Sequence, residues 1–128
     1  MQGQTNSHKQ KGICAINELY GQWIFINIYE SKLTKIDTLK KEPYKSLYGT
    51  SIWTYNKSGT FINDQGDYET KGNFIMDSKR CKVKIFDNNG EKGDTLVFEI
   101  TYLDKQYLML FFNNKDGQIG TTYFYKRK

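Results

Sequence analysis

The chain is poor in the residues that build helices and most catalytic sites. Its 128 residues include one alanine, one proline and one histidine. Helical bundles draw heavily on alanine, so a bundle is a poor fit. His8 is the lone histidine, and without a second one a serine or cysteine nucleophile lacks its usual base. Two cysteines, with no Cys-x-x-Cys pair and no Cys/His cluster, leave no zinc site. No glycine motif for cradling phosphate is present. No apolar run reaches the roughly eighteen residues of a membrane-spanning helix. The expectation is a protein that is neither an enzyme nor a membrane-spanning chain, with no cofactor.

Aromatic residues are abundant: ten Tyr, eight Phe and two Trp, alongside eleven Gly. Rings favour strands and fill a core from few positions. The length suits one domain. Residues 1–12, MQGQTNSHKQKG, hold no apolar side chain beyond Met1 and read as a disordered tail, leaving 13–128 as the folded domain. The net charge of +5 comes from lysines scattered over strands and turns. Nucleic-acid binding needs a basic stripe interleaved with exposed aromatics, and none is seen, so no nucleic-acid partner is expected.

Alternation and turn residues mark eight strands, at 20–28, 50–55, 60–63, 67–76, 80–86, 95–103, 107–112 and 121–126. The links after the second strand are short, among them Asn56-Lys57-Ser58-Gly59 and Asp64-Gln65-Gly66. Consecutive strands should therefore be antiparallel neighbours. Eight of them with no covering helix are best buried by closing into an all-β, eight-stranded, antiparallel up-and-down barrel. The first link, 29–49, is too long for a structureless loop. A short helix capped by Ser31 and carrying Leu33 and Ile36 is expected there, folded over one end as a lid.

Gly21-Gln22-Trp23 opens the first strand after a short lead-in, Cys14 to Leu19, and Arg127 ends the last. Further on come Ile52-Trp53-Thr54-Tyr55, Gly59-Thr60-Phe61, Gly66-Asp67-Tyr68, then Ile100, Leu103, Leu108 and Leu110, and finally Tyr123-Phe124-Tyr125. Over residues 14–127 this pattern resembles the small bacterial lipocalin-like (calycin) domains. The resemblance implies a closed barrel base in which Arg127, with Lys126 as the substitute, covers Trp23 beside Gly21, with cation–π attraction and hydrogen bonds to the lead-in carbonyls. The Thr-Asp-Tyr motif that many lipocalins carry between their sixth and seventh strands is absent, so no ligand is borrowed from them.

Up-and-down connectivity from that base sorts residues by end. Cys14 and Cys81 both fall at the base, either as a disulfide worth about 2–4 kcal/mol or as two buried thiols. The bridge and the polar tail would fit an exported protein, periplasmic or at the cell surface, whose signal peptide has been removed. Alternation turns Trp23, Phe25 and Asn27 inward on the first strand. It does the same for Tyr68, Thr70, Phe74 and Met76 on the fourth, Cys81, Val83 and Ile85 on the fifth, and Leu96, Phe98, Ile100 and Tyr102 on the sixth. The first and seventh strands are apolar on both faces, so an outer patch running on through Tyr123 and Tyr125 needs cover from the N-terminal segment and lid or from another chain. Monomer and weak homodimer both remain open.

Chemistry is left to the interior. Asp64 and Asp67 read as turn residues, and Asp87-Asn88-Asn89-Gly90-Glu91 with Asp94 as a hairpin loop rather than a calcium site. Phe25, Trp53, Phe61, Tyr68, Phe98, Leu110 and Phe124 are the candidates to line a pocket for an apolar or amphipathic small molecule, with Tyr68 and Tyr48 orienting a head group. The same rings can instead fill the barrel solid. The chain would then act on a protein partner, as an inhibitor or immunity-type module, through its mouth loops or outer face.

Overall fold

A computed structural model describes residues 14–87, 95–113 and 120–128. The expected tail (1–12), His8, and the turns around Asn88–Asp94 and Asn114–Gly117 lie outside them. After a single helical turn, α1 (Ile16–Leu19), come eight strands: β1 (Gly21–Tyr29), β2 (Ile52–Tyr55), β3 (Thr60–Asp64), β4 (Glu69–Asp77), β5 (Lys82–Asp87), β6 (Thr95–Leu103), β7 (Tyr107–Phe112) and β8 (Thr121–Arg127). Each pairs antiparallel with the next, and β8 closes on β1. The barrel is thus the expected one.

Its base is built around Trp23, which is fully buried and donates its indole N–H to Leu19 O at 2.9 Å. Arg127 lies over the indole, 3.9 Å from its centroid. Its Nη1 and Nη2 donate to Tyr20 O at 2.7 Å and Glu18 O at 2.6 Å, and Nε reaches Lys105 O. Burial lowers the guanidinium pKa, and the Glu18 and Asp104 carboxylates oppose that. Gly21 has φ +123°, and a Cβ there would meet Arg127 Nη1 at 2.7 Å, so both backbone and space demand glycine. Cys14 and Cys81 are disulfide-bonded across this floor, with Cα atoms 5.4 Å apart.

Two bulges overturn part of the expected facing. On β1 the register slips between Phe25 and Asn27, and on β6 between Ile100 and Tyr102. A bulge inserts one residue and reverses the alternation beyond it. Asn27, expected inside, is exposed, and Tyr102 lies on the outer wall, where its hydroxyl donates to Asp104 Oδ2 at 2.7 Å. That hydrogen bond, with burial, raises the Tyr102 phenol to about 12.

Phe124 also belongs outside. It pairs with Met109, stacks on Tyr107 and is fully buried in an outer cluster with Ile26. Tyr123 and Tyr125, not Phe124, turn inward, because side chains alternate along β8 and Arg127 has already claimed the inner parity at the base.

The outer cluster is covered by the 30–49 segment, which forms no helix and no lid. It runs as a strap along the wall, laying Leu33, Ile36 and Leu39 on Ile26, Met109 and Phe124. Buried Thr122 anchors it, accepting from Leu33 N at 3.0 Å and donating to Ser31 O. Lys41 Nζ ties the turn by donating to Ile36 O and Leu39 O. The chain itself thus buries the centre of the doubled apolar faces, Ile26 on β1 and Met109 on β7, while Ile28 stays exposed. Fully burying an apolar side chain is worth about 1.5–3 kcal/mol.

Candidate functional site

The strap's second half forms an opening at the mouth. β2 has four residues and β1 nine, and their pairing ends at Ile24–Ile52. From Phe25 onward β1 therefore has no β2 beside it. The strap fills in: Phe25 N donates to Ser51 O at 2.9 Å, and Phe25 O accepts from Tyr44 N at 3.3 Å. Behind this patch lies a partly open cavity of about 410 Å³.

Phe25, Trp53 and Tyr123 supply its barrel wall. Tyr44, Ser46, Tyr48 and Gly49 from the strap form one rim, and Gln65 and Asp67 from the β3–β4 loop form another. Ser51 completes the lining and accepts the Trp53 indole N–H at 3.2 Å while donating to Asn63 Oδ1. The loop is held by Asp64 Oδ1, which accepts from Gly66 N at 2.9 Å, and by a Gln65 N–Tyr68 O bond. Gly66 has φ +96° and sits so close that any Cβ would strike the Tyr48 backbone. Loop and strap therefore pack in direct contact, with no room for a side chain between them.

Below the cavity the barrel is filled. Trp53 and Phe25 both pack on Tyr125, at centroid distances of 5.1 and 5.9 Å, and Tyr55, Phe61 and Phe74 continue the ring stack towards the base. The Tyr55 and Tyr125 hydroxyls are fully buried without a hydrogen-bond partner. Burial drives both phenols well above their ordinary pKa, and the Tyr55 and Tyr123 phenols push Tyr125 further. Both stay protonated at any ordinary pH. A buried hydroxyl with no partner retains its desolvation cost. Tyr125→Phe is therefore expected to leave stability unchanged or to raise it by up to about 1 kcal/mol in urea unfolding. A loss above about 1 kcal/mol would reveal an interaction at that hydroxyl.

Of the residues expected to line a pocket, the structure brings Phe25 and Trp53 to the cavity. Phe61, Phe98 and Leu110 are buried in the filled core around it. Tyr68 lies ahead of β4, exposed on the loop, and Phe124 is on the outer wall. Tyr48 does reach the rim. Sequence reasoning missed Tyr44, Ser51, Gln65 and Tyr123, and took Asp67 for a turn residue alone. The parity set by Arg127 was the signal that would have found Tyr123.

Among the described residues no group of three His, Cys, Asp or Glu is placed to hold a metal ion, and no helix is long and apolar enough to cross a membrane. No protein-family model matches the chain, and no curated protein matches it.

Proposed function

We propose that this chain is a small exported binding protein of the lipocalin-like kind that holds an amphipathic small molecule in its mouth cavity. The observation that carries the reading is the cavity itself. At about 410 Å³, with aromatic walls and a few convergent polar groups, it has the size and lining of a small-molecule site. The filled lower barrel limits the ligand to a short one, seated against Phe25, Trp53 and Tyr123. Export is supported by the Cys14–Cys81 bridge, which persists in oxidising compartments.

Native mass spectrometry of gently isolated protein tests this. The expected result is an excess mass that is lost on denaturation and that Trp53→Ala retains poorly. A bare mass, together with no uptake of small alkyl and aryl probes, would overturn it.

One observation favours a second reading, a protein-interaction module. Leu47 is 95% exposed at the tip of the Ser46–Gly49 turn, flanked by exposed Tyr44 and Tyr48. Exposed tyrosines such as these are frequent anchors of protein interfaces, and Leu47 adds apolar area between them. Leu47→Asp separates the two readings. It would abolish partner capture and leave small-molecule retention intact.

A further inference from the structure

The cavity is rich in aromatic side chains, and among the described residues the only charged one lining it is acidic. Phe25, Tyr44, Tyr48, Trp53 and Tyr123 surround it, and Asp67 stands at the rim. Among the described residues no lysine or arginine lines it, although the chain carries a net charge of +5. Asp67 forms no ion pair within the described chain; the three described pairs are Lys32–Glu99, Lys71–Glu69 and Arg80–Asp77. Its loop is shaped by two contacts: Asp64 holds Gly66, and Gly66 packs directly against Tyr48.

From this arrangement we propose that the cavity selects an organic cation, a small quaternary or protonated amine. The inference rests on the mouth-cavity reading above and deepens it. Aromatic faces carry the negative part of the ring quadrupole, so a cation seated over the face of any of these five rings is attracted. Asp67 adds an opposite charge at the open side and repels carboxylate ligands such as fatty acids. A neutral ligand gains only the apolar contact.

The test uses three probes of one shape: choline, the neohexyl alcohol in which carbon replaces the ammonium nitrogen, and the corresponding neohexyl carboxylate. Each is titrated into the full chain while the NMR signals of Phe25, Trp53 and Tyr123 are followed. Choline is expected to bind about tenfold more tightly than the alcohol. The carboxylate should bind most weakly. Asp67→Asn should remove much of the choline preference and leave the alcohol's affinity unchanged. An alcohol or carboxylate that binds as tightly as choline would overturn the cation inference and leave the cavity standing as a binding site. No shift at these residues with any probe would overturn both.

Discussion

Trp23→Ala is expected to lower the unfolding free energy by about 3–5 kcal/mol, read from the shift of the urea midpoint at constant m-value. The indole is fully buried, and its loss leaves a cavity under Arg127 and an unpaired Leu19 carbonyl. Domains of this kind hold about 5–15 kcal/mol in total, so the variant would sit near the edge of folding. Arg127→Lys probes the same base more gently. Lysine supplies the charge, but it has no planar fork to reach Glu18 O and Tyr20 O together. A loss of about 1–3 kcal/mol is expected, one charge-assisted hydrogen bond's worth. If Trp23→Ala cost less than about 1.5 kcal/mol, the base would not be the cornerstone the geometry implies.

The base and the mouth differ in how readable they were, and the difference has physical causes. Base residues are tied to one another by local rules: a glycine forced to positive φ, an indole two residues on, and a guanidinium at the register position opposite. These leave a signature in the sequence. The barrel's strand order was likewise legible, because short links force neighbours together. On β1 and β6 facing was legible only up to each bulge, and on β8, where both faces are aromatic, Phe124 was put on the wrong one. Nothing in the alternation of Phe25-Ile26-Asn27 or Ile100-Thr101-Tyr102 announces an extra residue, since both candidate faces are apolar or ambiguous. The strap hid for a related reason. Leu33, Ile36 and Leu39 have helical spacing, but they are spaced to meet an outer wall that exists only once β1, β7 and β8 are assembled. The cavity depends on β2 being too short to flank β1, a mismatch between two strands distant in sequence. Asp67 was read as a turn residue, and it does sit in the β3–β4 turn. Its place on the cavity rim comes from the Gly66–Tyr48 contact across the mouth, which no local pattern encodes.

Removing the disulfide is expected to have an effect of similar size through the unfolded chain. Cys14 and Cys81 are separated by 67 positions, and closing a loop of that length restricts the unfolded ensemble by about 4 kcal/mol in the chain-entropy account. The Cys14→Ser/Cys81→Ser variant should lose about that much in urea unfolding, and so should the parent after reduction. The native contacts at the site predict a refinement. Cys81 has φ +56°, a left-handed conformation that costs a side-chain-bearing residue about 1 kcal/mol, and its carbonyl accepts from Ile100 N at 2.8 Å. That hydrogen bond holds the backbone in place once the bridge is gone. Cys14→Ser/Cys81→Gly should therefore lose about 1 kcal/mol less than the double serine variant, although glycine usually weakens a fold. Equal losses would mean that residue 81 relaxes when unbridged, and the disulfide itself would then be what holds it left-handed. A double serine variant as stable as the parent would show that α1 and the Arg127–Trp23 stack close the base unaided, and would remove the main support for export.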